Sequence, residues 1–131
     1  MLIGTSGWFS ILDENDDRQD AAVAFFRSAS RRIAHSYIID ELVSLCNARR
    51  VPRSKVLAFL DELFDDENIR IVWVDESLTK QAFDLLKERP DKSWSLCDAV
   101  SFLIMKQENI TEALTTDHHF EQAGFVQLLE S

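Results

Sequence analysis

Three acidic residues lie where an alternating strand–helix chain would gather them. Glu41 follows the segment RIAHSYIID, Asp98 opens the apolar stretch DAVSFLIM, and Asp117 ends ALTTD. The first apolar segment, MLIGT, reaches the same sheet edge and presents Gly4 there. Carboxylates converging on one cleft repel one another unless a hard cation joins them. Mg²⁺ or Mn²⁺ prefers oxygen ligands, and such a site suits phosphodiester hydrolysis.

Each acid also has a plain structural reading. Ser95 and Asp98 have the spacing of a capping box, which accounts for Asp98 without any metal. Asp117, between a strand and a helical turn, reads as an N-cap. Glu41 is harder to explain in this way. Ile38, Leu42 and Leu45 share its helix face, where a lone carboxylate is costly, and Asp40 is better placed for solvent. The case for a shared site rests on the three acids together.

The elements that must position them follow from the hydrophobic pattern. MLIGT reads as a buried strand, SGWFSILD as a short helix with Ser6 as N-cap, and residues 21–29 as a helix. RIAHS is a second strand, after which Ser36 caps a helix running to Arg50. A helix starting near Pro52 buries Val56, Leu57, Leu60 and Leu63. IRIVWV is the clearest strand, residues 76–89 are amphipathic, and residues 95–109 form an apolar helix. EALTT and FVQLL are the last strands, separated by a helical turn that Gly124 closes. This alternation predicts a three-layer α/β/α fold with a parallel sheet of four or five strands, its site beyond the C-terminal strand ends. Residues 1–131 are expected to form a single domain.

Composition narrows the function classes. The net charge of −9 argues against a wholly basic nucleic-acid-binding surface. The segment from Arg27 to Lys55 nevertheless carries seven basic residues and two acids. A basic zone on an acidic body can position phosphates, or it can be a solvated face of two helices. Cys46 and Cys97 lie in apolar helical contexts and read as reduced core residues. No apolar run is long enough for a membrane span and no signal peptide is visible, so a cytoplasmic protein without a membrane partner is expected. The adjacent His118 and His119 are expected to diverge and to be surface residues. Trp94 and Phe102 are expected to pack beneath Asp98, and Asp91, beside Lys92, to be solvated.

The segments IGTSGWFSILD, HSYIIDELVSLCNAR, DKSWSLCDAVSFLIM and ALTTDHHFEQAGF together resemble the PIN-domain family, and more narrowly the VapC-type ribonuclease toxins of bacterial toxin–antitoxin pairs. The resemblance spans nearly the whole chain. It implies a PIN-like fold and a metal-dependent endoribonuclease in which Glu41, Asp98 and Asp117 bind Mg²⁺ or Mn²⁺. Thr5 and Ser6 would orient water or phosphate through their hydroxyls, and Arg49 and Arg50 are candidates for positioning RNA. It further implies an RNA substrate, a VapB-like antitoxin partner and a homodimer. Trp8, Phe9, Phe25 and Phe26 are candidates for the antitoxin groove, although core packing explains most of them.

The departure is Gly4, where the family pattern has an acid before the Thr-Ser pair. Either the chain is a degenerate, non-catalytic module for RNA or protein interaction, or Gly4 is an inactivating change that one base substitution from Asp produces. The intact surroundings of the other three acids favour the second. A phospho-receiver domain is a third class, but IGTSG lacks the acidic pair that fold needs after its first strand.

Overall fold

Five very short strands organise the chain, and the helices between them carry most of its length. The computed structural model describes residues 1–131. In order, the elements are β1 (Leu2–Ile3), α1 (Thr5–Leu12), α2 (Gln19–Ser28), β2 (Ile33–His35), α3 (Ser36–Ala48), α4 (Arg53–Asp65), β3 (Arg70–Val72), α5 (Glu76–Glu88), α6 (Leu96–Gln107), β4 (Glu112–Leu114), α7 (His119–Gln122) and β5 (Val126–Gln127). The sheet order is β3-β2-β1-β4-β5 and every pairing is parallel. The expected α/β/α class and strand number are therefore found.

Strand order explains where a site forms. The chain moves from β1 outward through β2 to β3, then returns across the sheet to β4 and β5. Right-handed crossovers accordingly place α1–α4 on one face and α5–α7 on the other. The direction reverses between β1 and β4, and a crevice opens beyond the carboxyl ends of strands at such a switch point. Gly4 follows β1 and Thr115 follows β4 at that place.

The central strands are buried on both faces, as a covered parallel sheet requires, while the edge strands β3 and β5 are partly exposed. Leu2, Ile3, Ile33, Ala34, Ala113 and Leu114 are inaccessible or nearly so, and they join Trp8, Ile38, Leu42, Val100, Phe102 and Met105 in one core. Trp94 meets Phe102 edge-on at 5.0 Å, and Phe102 meets Phe120 in the same way. This confirms the expected packing beneath Asp98. At the opposite sheet edge, Glu108 at the end of α6 pairs with Arg31 at 2.8 Å and with Arg70, tying the starts of β2 and β3 together.

Gly7 allows α1 to lie directly on the end of β4. A Cβ there would come within 2.1 Å of the Leu114 carbonyl oxygen, so no side chain fits without moving the helix. Gly124 takes φ +93, as expected of the residue that ends the last helical turn.

Several local expectations are corrected. IRIVWV pairs only over Arg70–Val72, and Trp73 is 65% exposed. The ladder cannot run further because its neighbour β2 ends at His35, where α3 begins. The cap of α3 is His35, whose Nδ1 accepts from Ile38 N–H, and the Ser36 hydroxyl accepts from Val74 N–H instead. The N-cap of α1 is Gly4 with no side-chain cap, which frees the Ser6 hydroxyl for contacts across the sheet. Leu57, expected in the core, is 46% exposed because the inward stripe of α4 is Val56, Leu60 and Leu63.

Candidate active site

A cavity of about 180 Å³ opens at the β1/β4 switch point, enough for a cation and several waters. Its wall includes Gly4, Thr5, Ser6, Glu41, Asp98 and Asp117. Arg49 and Arg50 are not part of it. Arg49 lies over the Phe9 ring at 5.5 Å, and Arg50 takes a left-handed φ of 58 as the chain leaves α3.

Local structure fixes each acid differently. Glu41 is on the second turn of α3, exposed at the mouth, and its Oε1 accepts from the Thr5 hydroxyl at 2.7 Å. Thr5 thus holds a carboxylate, a more specific role than the expected contact to water or phosphate. Asp98 is buried at the start of α6. Its Oδ2 accepts from Ser95 N–H while the Ser95 hydroxyl accepts from Asp98 N–H, both at 3.0 Å. The capping box and the cavity reading both hold, because the box aligns a carboxylate that still faces the cavity. Asp117 is half-buried after β4, and its Oδ1 accepts from His119 N–H at 2.9 Å.

Hydroxyls complete the floor. Ser6 and Thr115 share a hydrogen bond of 3.1 Å, the Ser6 hydroxyl accepts from Thr116 N–H, and Thr115 Oγ1 accepts from Asp117 N–H. These bonds tie the end of β1 to the end of β4. Behind them, the fully buried His35 reaches Ser101 Oγ at 2.8 Å, and burial pushes its pKa down to about 3. Cys97, expected to be plain core, forms part of the cavity wall. Burial first, and then the charge of Glu41, push its thiol pKa up, so it stays protonated and carries no nucleophile.

Gly4 has φ −77 and ψ 173, ordinary extended backbone that any residue adopts. An added Cβ would meet Thr115 Cβ at 3.3 Å and Thr115 Oγ1 at 3.4 Å. The position therefore accepts a side chain if Thr115 yields by a few tenths of an ångström.

His119 contradicts the sequence expectation, whereas His118 is a surface residue as expected. His119 turns inward, with its side chain 19% exposed. Its Nδ1 lies 2.9 Å from Asp98 Oδ2 and 3.4 Å from Asp117 Oδ1. His118 is largely exposed, yet ligand atoms of Asp117, His118 and His119 lie within 4.8 Å of one another. Consecutive residues diverge inside a helix, but His118 is only the N-cap of α7, and the turn before it brings the rings to 4.7 Å. The signal in the sequence was that DHHF begins at the turn itself. Asp91 is a surface residue as expected, paired with Arg89 at 3.0 Å.

This geometry coincides with a family match. The profile of the PIN domain matches residues 1–126. The chain belongs to the PIN-domain family. It is 28% identical over 129 residues to the 23S rRNA-specific endonuclease VapC20 of Mycobacterium tuberculosis, in two strains, covering 98% of this chain and 97% of the relative. The crystal structure of M. tuberculosis VapC20, described as a sarcin–ricin loop cleaving toxin, superposes with a TM-score of 0.86 at 26% identity and 96% coverage of both chains. The chain is thus a homologue of VapC-type ribonuclease toxins, in a family of nucleases that use divalent metal. No helix is long and apolar enough to cross a membrane.

The residues present fit a divalent cation. Three carboxylates share one cavity, and two of them approach a common imidazole nitrogen. Gly4 lines the same cavity without a side chain.

Proposed function

We propose that this PIN domain, residues 1–131, is a Mg²⁺- or Mn²⁺-dependent VapC-like endoribonuclease whose activity is weakened or silenced by Gly4. The observation that carries this reading is the convergence of Glu41, Asp98 and Asp117 on one cavity at the β1/β4 switch point. A bound divalent cation supplies Lewis-acid activation of water and charge neutralisation at the scissile phosphate. The chain's own residues do the rest. Asp98 is aligned by the Ser95 cap, Glu41 by the Thr5 hydroxyl and Asp117 by its turn, so the three carboxylates are oriented before a ligand arrives. The Ser6 hydroxyl, held by Thr115, offers a neutral contact to phosphate beside them.

The substrate is RNA presented as a single strand or loop, and the likeness to VapC20 favours a loop of ribosomal RNA. Arg49 is the C-cap of the helix that carries Glu41, about 12 Å further along its axis, and Arg50 follows it as the chain leaves the helix. That spacing suits contacts to phosphates flanking the one that is cut.

The antitoxin partner is VapB-like, and its groove lies between α1, α2 and α4. Trp8, Ile11, Phe26, Phe59 and Leu63 line it, with Glu62 and Asp66 adding negative charge for a basic, apolar segment. Phe9 is core, in line with the core-packing reading, and neither it nor Phe25 lines this groove. A homodimer and a cytoplasmic location belong to the same reading.

Gly4 favours a second reading, a PIN module that binds RNA or protein without cutting. One experiment separates the two. Ribosomal-loop RNA is incubated with the chain, Gly4→Asp, and Gly4→Asp carrying Asp98→Asn, with Mg²⁺ or Mn²⁺ and with or without chelator. Gly4→Asp is expected to cleave at least about a hundredfold faster than the parent, within the range that single charge-stabilising groups contribute, and Asp98→Asn to abolish the gain. A folded, metal-binding Gly4→Asp protein with no cleavage on any RNA supports the non-catalytic module.

A further inference from the structure

We propose that His119 is itself a metal ligand in this cavity, so that the chain replaces the hard oxygen missing at Gly4 with an imidazole nitrogen and prefers Mn²⁺ and other transition-metal ions to Mg²⁺. This rests on the cation site proposed above and names a ligand and a metal class that the three acids alone do not.

The geometry comes first. His119 Nδ1 lies 2.9 Å from Asp98 Oδ2 and 3.4 Å from Asp117 Oδ1. Donors in adjacent positions around an ion with bonds of about 2.1 Å are roughly 3 Å apart. The nitrogen therefore already stands close to the spacing of adjacent ligands from each of two carboxylate oxygens. The ring is held in place: its side chain is largely covered, and its backbone N–H is fixed on Asp117 Oδ1. Nε2 faces the Ser93 hydroxyl at 3.4 Å. A ligating histidine commonly engages its other ring nitrogen in this manner, which fixes the tautomer and turns the free lone pair to the metal. At 2.9 Å Nδ1–H donates to the Asp98 carboxylate, and a cation bound there would take the place of that proton, with Nε2–H turned to the Ser93 hydroxyl.

Chemistry then sets the metal class. Mg²⁺ takes oxygen donors and gives up its waters reluctantly, whereas imidazole suits the transition ions. Removing a carboxylate at residue 4 and engaging a nitrogen at residue 119 both shift the donor set in that direction. His118 stands at the solvent side of Asp117, with Nδ1 4.0 Å from Asp117 Oδ1, and is not required.

The test reads binding and ligand identity rather than turnover. Mn²⁺ alone is titrated into the full chain, into His119→Gln, into His118→Gln and into Gly4→Asp, following free Mn²⁺ by its paramagnetic resonance and bound Mn²⁺ by nitrogen-14 spin-echo modulation. Competition with Mg²⁺ gives the preference. The parent is expected to show modulation from one imidazole, which persists in His118→Gln and disappears in His119→Gln. The affinity of His119→Gln for Mn²⁺ should fall by at least about tenfold, the lower bound for losing even an outer partner of a ligand, and its preference for Mn²⁺ over Mg²⁺ should shrink. The chain has three histidines, and both ring nitrogens of His35 are engaged in the core. If His119→Gln does not fold, modulation that survives His118→Gln still assigns the ligand to His119. Bound Mn²⁺ without nitrogen modulation, or modulation lost only in His118→Gln, overturns the assignment and leaves the oxygen-ligated site standing. Absence of Mn²⁺ binding in both the parent and Gly4→Asp overturns the cation site itself, and this inference with it.

Discussion

At the scale of single residues, the candidate site depends on side chains that hold other side chains. Glu41 is exposed at the cavity mouth, and its carboxylate accepts from the Thr5 hydroxyl. Thr5→Val keeps the shape and removes that donor. Mn²⁺ affinity is expected to fall roughly ten- to a hundredfold, as it does when a ligand loses its outer partner, while stability changes by less than about 0.5 kcal/mol because the site is solvated. Calorimetric titration with Mn²⁺ beside a urea melt checks both halves. Asp98 and Asp117 were legible in the sequence because each stands at a junction between elements, and Glu41 because it is a carboxylate on an apolar helix face. His119 was misread, although DHHF begins at the turn itself. Its orientation depends on a turn that precedes a four-residue helix, and helical spacing does not apply there.

At the scale of elements, two junctions control the cavity, and both make predictions. The first is the seat of α1 on β4. Helix propensity favours Gly7→Ala by up to about 1 kcal/mol. The added Cβ would nevertheless meet the Leu114 carbonyl oxygen at 2.1 Å, and overpacking of this kind costs about 1–3 kcal/mol. The clash wins, so a denaturant melt should show net destabilisation. The Ser6–Thr115 bond should weaken with it, because α1 must lift away from the end of β4. The second junction is His35, which ends β2, caps α3 and reaches Ser101 on α6. Burial pushes its folded pKa down to about 3 from an ordinary value of 6.5. The unfolded chain then binds the proton first, so this contribution is complete above pH 6.5 and is lost as the pH falls from there toward 3. Between pH 7.5 and 5.5 the loss is about 1.4 kcal/mol. His35→Asn keeps an acceptor for Ile38 N–H but cannot take up that proton, so its urea midpoint should fall less over the same interval. Equal falls in the two proteins would remove His35 as the cause. The sequence showed that a strand gives way to a helix here, and it placed the cap one residue late at Ser36. Both residues carry side chains that can bond a free N–H, and only the fold decides that Ser36 faces Val74.

At the scale of the whole molecule, the parallel sheet converts separate stretches of chain into one concentration of negative charge. Glu41, Asp98 and Asp117 come from three different crossovers, and the strand order brings them to one cavity in a protein whose net charge is already −9. The basic residues between Arg27 and Lys55 do not relieve this, because none of them lines the cavity. Arg31 is instead spent on Glu108 at the opposite sheet edge. The folded state therefore carries a local repulsion that the unfolded chain lacks, and a cation that binds only the folded cluster offsets it. At a hundredfold excess over its dissociation constant, such a ligand adds about 2.7 kcal/mol of stability by mass action. A thermal melt should thus rise by several degrees and saturate as Mn²⁺ is added. Asp98→Asn retains a side-chain oxygen for the Ser95 N–H and so should still fold, yet it should lose most of the rise. Equal rises in the two proteins would mean that Mn²⁺ acts on the acidic surface at large rather than on the cavity at the switch point. Repeating the melt at higher ionic strength separates the two further, since salt screens a diffuse surface effect within about a Debye length while a coordinated ion is affected far less.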